Sequence, residues 1–325
     1  MHVTGKKVLV TGATGFFGRH LVPSLAARGF RVHAATRRDA ALGEAVNVIN
    51  VGDLSQNVDW SRHLEGIDAV VHTAALAHVT SVIPEAEYDK INRQATIRLA
   101  KATNAAGARL IFMSSVAAQS GPRAEHVLTE EDIPFPTTPY GRAKLRAEQE
   151  IVLTNNCYVI LRPALTYGLG VIGNMNRIAR LAAHRVPPPF GMMRNQRSFL
   201  AVENLCDAVD FVLTSDAVLN QIYILSDPEP ISIAEMVTLI RAGAGLSGDG
   251  IPVPPALMSG VLSVLGRGEL WEKIGGNLVA SAAKLRRSGF RWRINTRDGM
   301  RALGAAYTRA ALRQRAVKSA SSAYL

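Results

Sequence analysis

The chain is short of cysteine: its 325 residues hold two, Cys157 and Cys206. They show neither metal-ligand spacing nor the density of a disulfide framework. Both read as small buried hydrophobes in a reducing compartment, and no metal is expected. Long apolar runs are missing too. The most apolar late stretch, residues 254–265, is broken by Pro255, Ser259, Gly260 and Ser263, and it falls well short of the roughly 20 residues a membrane span needs. It reads as a packed helix, with peripheral membrane contact as the lesser alternative. Residues 1–7 lead into a strand pattern without the apolar core and cleavage site of a signal peptide, so a soluble, cytoplasmic protein without a transmembrane span is expected. Aromatics are sparse, at 6%, and do not interleave with basic residues as in readers of single-stranded nucleic acid. No nucleic-acid partner is expected.

What the chain does have is apolar residues (48%) in excess of charged ones (19%), a globular rather than a disordered composition. Its net charge of +11 suits an anionic partner, but charge alone does not choose among nucleic acid, acidic lipid and a phosphorylated small molecule. The basic residues are scattered, with modest clusters at Arg37 and Arg38, at 284–287 and in the tail 309–318.

Strand and helix patterns alternate from the start. Residues 7–11 form a short apolar run, followed by a glycine-rich turn and an amphipathic stretch over 17–28 that stops at Gly29. Further strands are predicted at 31–36, 46–51, 69–73, 110–114, 157–161 and 222–225, and helices at 88–106, 140–154 and 232–242. Such alternation specifies an α/β fold, a doubly wound parallel sheet with its ligand crevice at the carboxyl ends of the strands. The pattern loosens from about residue 167, with proline clusters at 187–189 and 252–255. The expected organisation is a nucleotide-binding domain over 1–166, a smaller interleaved C-terminal substrate lobe over 167–307, and a frayed basic tail over 308–325.

Between the first strand and first helix lie Thr11, Gly12, Ala13, Thr14, Gly15, Phe16, Phe17 and Gly18. The glycines permit a tight turn and close approach of a pyrophosphate to backbone amides at a helix N-terminus. A glycine-rich turn can merely connect two elements, but here the strand before and the helix after supply the context of a dinucleotide site. At the end of the second strand Thr36 stands where an NAD-selective protein places an acid, and Arg37 and Arg38 follow. Arginine there can pair with the extra phosphate of NADP, so NADP(H) is preferred, with NAD(H) possible if both arginines are simply solvated. Asp53 and Leu54 suit the adenine, and Ala74 and Ala75 offer the small side chains that close contact with a cofactor requires.

Tyr140 and Lys144 sit one turn apart on one face of a predicted helix. A phenol titrates near 10, so proton exchange near neutral pH benefits from an ammonium that stabilises its anion. Alone the pair is an ordinary helix pairing. Ser114 and Ser115, at the crevice end of the preceding strand, make it a candidate catalytic set.

In order and spacing, the glycine turn, Asp53-Leu54, Val71 to Ala75, Asn92, Ser115, Tyr140 and Lys144 resemble the extended short-chain dehydrogenases that act on nucleotide sugars, which have Rossmann-type sheets. The resemblance covers nearly the whole chain. It implies that Ser115 and Tyr140 contact the reacting oxygen, that Lys144 assists and binds the nicotinamide ribose, that Asn92 belongs to the cofactor side and its support, and that Pro163 lies in the stretch closing over the nicotinamide. It also implies that Asn174 and Arg197 reach a nucleotide diphosphate; guanidinium suits this because it can bind phosphate oxygens in bidentate fashion. A homodimer through the helices near 88–106 and 140–154 is expected on the same likeness.

Three sugar chemistries share such a scaffold. A 4,6-dehydratase needs an acidic pair after the active hydroxyl, where this chain has Val116 and Ala117. Between the other two, residues 195–200 and 252–266 most resemble bacterial 4-keto reductases that form UDP-N-acetylquinovosamine for surface polysaccharide. The alternative is a UDP-sugar 4-epimerase with tightly bound NAD. A reading of another class, a non-catalytic NADP-binding regulator, is opposed by the intact Ser115, Tyr140 and Lys144.

Overall fold

The computed structural model describes residues 5–77 and 83–322, with side chains as far as residue 312; the reading of residues 1–4 lies outside the described residues. In chain order the strands are β1 (Lys7–Thr11), β2 (Arg31–Thr36), β3 (Val46–Asn50), β4 (Ala69–His72), β5 (Arg109–Met113), β6 (Tyr158–Pro163), β7 (Leu165–Tyr167), β8 (Gln196–Arg197), β9 (Phe199–Ala201), β10 (Gln221–Leu225) and β11 (Ile231–Ser232). The helices are α1 (Phe16–Ala27), α2 (Ser61–Leu64), α3 (Glu85–Tyr88), α4 (Ala95–Ala105), α5 (Pro139–Thr154), α6 (Gly173–Ala182), α7 (Val202–Thr214), α8 (Ile233–Gly243), α9 (Pro255–Val264), α10 (Gly268–Ile274), α11 (Ala283–Arg287) and α12 (Thr296–Ser322).

Seven strands form one parallel sheet in the order β10-β6-β5-β4-β1-β2-β3. Both faces are covered, which is why the central strands read as nearly unbroken apolar runs. Leu21, Val22 and Leu25 of α1 meet Leu205 and Val209 of α7 on one face. Ile97, Leu99, Ala147 and Ile151 of α4 and α5 cover the other. The strand order reverses at β1, which lies between β2 and β4, and a crevice opens at the carboxyl ends of such strands.

A second apolar cluster joins Met175 and Ile178 of α6, Phe199 of β9, Met236 and Ile240 of α8, and Met300 and Leu303 of α12. Between its segments the chain returns to the sheet through α7 and β10. The packed-helix reading of residues 254–265 holds on one face of α9. Met258 is buried, whereas Leu257, Val261, Val264 and Leu265 are exposed.

Two expectations need correction. The single helix predicted over 88–106 is α3, a π-helical segment (Asp89–Gln94) and α4 in succession, because the segment turns inward to bury Asn92. The tail expected to fray continues α12 as far as Ser322. Residues 305–322 contain neither glycine nor proline and are rich in alanine and arginine, both strong helix formers; basic composition had obscured that propensity.

Helices α8 and α12 touch backbone to backbone. A Cβ on Gly304 would lie 2.0 Å from the Ile240 carbonyl oxygen, and one on Gly243 would lie 1.9 Å from that of Arg301. Gly304→Ala should therefore lower stability by about 2 kcal/mol despite alanine's better helix propensity, since overpacking costs about 1–3 kcal/mol. Urea unfolding checks this, and an unchanged or higher midpoint would show that the helices separate at no cost.

Candidate active site

The turn between β1 and α1 is shaped by what surrounds its glycines. Gly12 has φ +69°, and a Cβ there would lie 2.7 Å from the backbone nitrogen of Ala74. A Cβ on Gly18 would lie 2.3 Å from the Gly12 carbonyl oxygen. These two glycines let the β1 turn press against the segment after β4 and let α1 settle on the turn. Thr14 and Gly15 are exposed, and Phe16 and Phe17 half-buried. Helix α1 has no side-chain cap and no acid in its first turn, so its N-terminal amides face the crevice unopposed. This cradle fits a dinucleotide pyrophosphate.

The segment after β4 is held from behind. Asn92, wholly buried, donates to the Leu76 carbonyl at 2.9 Å and accepts from the Leu76 amide at 2.7 Å. Both ends of its amide are used in this way. Asn92 therefore supports the loop carrying Ala74 and Ala75 from behind, the support part of its expected role.

At the end of β2 the Thr36 side chain is buried, its hydroxyl near the Ile49 carbonyl at 3.4 Å. Arg37 and Arg38 are exposed and form no ion pair among the described residues. Asp53 accepts from the Ser55 amide at 2.8 Å; the Ser55 hydrogen bonds, with Arg37 and Lys90 behind them, hold its carboxyl below the usual range. Leu54 packs on the apolar cluster beneath.

On the chemical side, Thr138 caps α5 by accepting from the Gly141 amide at 3.1 Å, and Pro139 occupies the first helical turn. This start places Tyr140 and Lys144 at the crevice. Ser115 caps a short 3-10 turn (Val116–Ala118), and its Oγ accepts from the Ala117 amide at 3.1 Å. Its hydroxyl also favours the Tyr140 anion, which partly offsets the burial that pushes the phenol up to about 12. Ser114, the alternative hydroxyl, faces inward and donates to Glu148, so Ser115 alone of the pair is turned to Tyr140.

Lys144 is 1% exposed. Its Nζ donates to the Met113 carbonyl at 2.8 Å and lies 4.5 Å from the centre of the Phe112 ring. Burial lowers its ammonium to about 7, against a raising influence from Glu148. Pro163 ends β6 on the same side, buried beside β10.

The two residues expected at a diphosphate lie in the second lobe. Asn174 is half-buried in the first turn of α6, a helix without acid in that turn. Arg197 is buried, donating to the carbonyls of Gly276 at 2.7 Å and Pro122 at 3.3 Å. It pairs with no carboxylate among the described residues, and burial lowers its guanidinium to about 10. Sequence reasoning missed the buried Glu148–Arg162 ion pair beneath the site. Glu148 continues the Tyr140, Lys144 face at four-residue spacing, and this periodicity was the available signal.

The depressed Lys144 value has a measurable sign. Between pH 7 and about 10.4, the ordinary lysine value, the unfolded chain binds more protons than the folded one, so stability rises with pH. The cost of burying Lys144 is full below pH 7 and is relieved above it. Cofactor-free Lys144→Met should thus be more stable than wild type near pH 6–7, with the advantage shrinking toward pH 10. Thermal unfolding across that range checks it, and an advantage that grows with pH would refute the assignment.

Comparison with known proteins bears on this arrangement. The UDP-glucose 4-epimerase of Vibrio cholerae is 30% identical over 283 residues, 84% of this chain and 86% of that protein. The 2-alkyl-3-oxoalkanoate reductase of Stenotrophomonas maltophilia is 28% identical over 254 residues, 74% of this chain and 76% of that one. Among solved structures, MoeE5 in complex with UDP-glucuronic acid and NAD superimposes with a TM-score of 0.74 at 27% identity, over 94% of this chain and 99% of that one. Residues 8–225 match the NAD dependent epimerase/dehydratase family, and the chain belongs to that family.

Proposed function

We propose that the protein reduces the C4 ketone of a UDP-4-keto-6-deoxy-N-acetylhexosamine with NADPH, giving UDP-N-acetylquinovosamine. The observation that carries this reading is the end of β2, where Thr36 is buried in the place an acid would take and exposed Arg37 and Arg38 follow it. A cofactor held partly by exposed arginines suits exchange after each turnover. For the diphosphate, Arg197 supplies a buried cation without a carboxylate partner among the described residues, and Asn174 stands at the start of α6. MoeE5 binds a UDP-sugar on a similar fold. A homodimer through the outer faces of α4 and α5, where Val152 and Leu153 are exposed, belongs to the same reading.

When bound, the dinucleotide supplies the hydride that reaches C4. Ser115, with one lone pair of its Oγ engaged by the Ala117 amide, directs its hydroxyl toward the substrate oxygen and orients it. Tyr140 delivers the proton to the alkoxide, and a phenol pushed up to about 12 remains protonated at neutral pH for this purpose. The Lys144 ammonium stabilises the phenolate left behind.

A second reading, a UDP-sugar 4-epimerase with retained NAD, is favoured by the match to the Vibrio cholerae enzyme. NADPH oxidation with UDP-4-keto-6-deoxy-N-acetylglucosamine, followed by product identification, separates the two. Stoichiometric oxidation with one C4 epimer formed supports the reductase, whereas interconversion of UDP-sugars without net oxidation replaces it with the epimerase. Tyr140→Phe should lower kcat at least about 100-fold, the ordinary contribution of a general acid. Retained turnover would remove Tyr140 from the chemistry. Arg37→Ser with Arg38→Ser should raise the KM for NADPH about tenfold or more while changing that for NADH little, as two charge-assisted contacts are lost. Equal effects on both cofactors would mean the arginines are only solvated.

A further inference from the structure

Beneath the crevice, three segments of chain meet at one carboxylate, and a fourth joins them through its arginine partner. Glu148 of α5 and Arg162 of β6 form an ion pair whose side chains are 1% and 3% exposed. The Arg162 Nε lies 3.0 and 3.1 Å from the two carboxylate oxygens, and its Nη2 donates to one of them. Ser114, at the end of β5, donates to the other oxygen. The remaining Arg162 nitrogen donates to the Gln119 side chain, whose amide in turn donates to the Asp132 carbonyl at 2.7 Å. The network therefore ties the residue before Ser115 and the turn after it to the helix that carries Tyr140 and Lys144.

A buried ion pair is an expensive way to fill a core, since apolar residues of similar volume are often as stable or more so. Its placement here suggests what it contributes. Glu148 follows Lys144 by one helical turn on the same face. The Lys144 amine contacts the Met113 carbonyl and Phe112 ring of β5; His72 of β4 and Glu148 of its own helix lie within electrostatic reach, Tyr140 precedes it by one turn of α5, and Arg162 of β6 is paired with Glu148. His72 is buried between the Thr11 and Thr96 hydroxyls and held neutral by that burial. Glu148 is the one carboxylate in this set.

Resting on the reading of Ser115, Tyr140 and Lys144 as the catalytic set, we propose that Glu148, clamped by Arg162 and Ser114, is a positioning residue that keeps the Lys144 amine charged and holds the Ser115 turn against α5. Glu148 touches neither substrate nor cofactor and acts through Lys144 and the turn. Neutralising it removes the charge that favours the ammonium, so Lys144 loses its proton at lower pH.

Two measurements test this, one without any substrate. Stability against pH is compared for wild type and Lys144→Met, and again for both in a Glu148→Gln/Arg162→Met background, which removes the two buried charges together and avoids stranding Arg162. The pH at which the Lys144→Met advantage fades should fall by roughly one pH unit or more in that background. No movement would overturn the charge role. In the second measurement, pH profiles of ketone reduction should show the paired variant losing more than tenfold in kcat at pH 8.5 while staying within about threefold of wild type at pH 6.5, with the KM for NADPH little changed. An equal loss at every pH would reduce the pair to scaffolding and overturn the proposal. If wild type does not turn over the keto sugar, the function reading fails, and the substrate-free titration still decides the role of Glu148.

Discussion

Lys144 is withdrawn from water almost completely, with a backbone carbonyl and an aromatic ring in place of its hydration shell and the negative charge of Glu148 acting on it from one helical turn away. Burying an ammonium is costly unless such partners are supplied, so this one contact constrains much around it. Helix α5 must lie against β5 closely enough for Nζ to reach the Met113 carbonyl. That approach is possible because α5 faces the sheet with Gly141, Ala143 and Ala147. At Gly141 the fit is strict, since a Cβ would lie 2.1 Å from the Ala117 carbonyl oxygen. The same contact therefore brings the turn bearing Ser115 beside the helix bearing Tyr140.

The cofactor side obeys a different constraint, the approach of one backbone to another. Gly12 after β1 and Ala74 after β4 meet where the strand order reverses, leaving the amides at the start of α1 open. The Asn92 amide fixes the second of these segments from below. A π-helical segment delivers it, and such insertions are frequent at functional sites. The cradle thus follows β1 and β4 and the serine of the chemical set follows β5, the next strand of the sheet, whose Met113 and Phe112 meet Lys144.

Polar groups in the second lobe secure the segment that follows β6. Tyr167 donates to Asp227 at 2.8 Å, and the same carboxylate accepts from Asn204 at 2.7 Å and from the Ala201 amide at 3.0 Å. Burial pushes Asp227 up to about 6 even so. Arg197 sits nearby in sequence with backbone carbonyls as its partners. The net charge of +11 is therefore less informative than where its buried members lie, Arg197 and Arg241 both being held out of water by backbone carbonyls. Most of the other positive charge is spread over exposed surfaces.

Much of this was legible from the order of residues. Strand and helix alternation, the glycine spacing after β1 and the four-residue spacing of Tyr140 and Lys144 are local patterns, and each follows from backbone geometry that a sequence carries directly. The sheet strands lie within one or two residues of their predicted bounds for the same reason. Propensity was visible too but was misread in the tail, where α12 continues. Which serine faces the crevice, what Asn92 holds, and where the Glu148 carboxylate finds its partner were decided by tertiary structure alone. Ser114 and Ser115 are chemically identical, and Glu148 and Arg162 are separated by 14 residues. Their roles arise from burial and from contacts between segments, which no local spacing encodes.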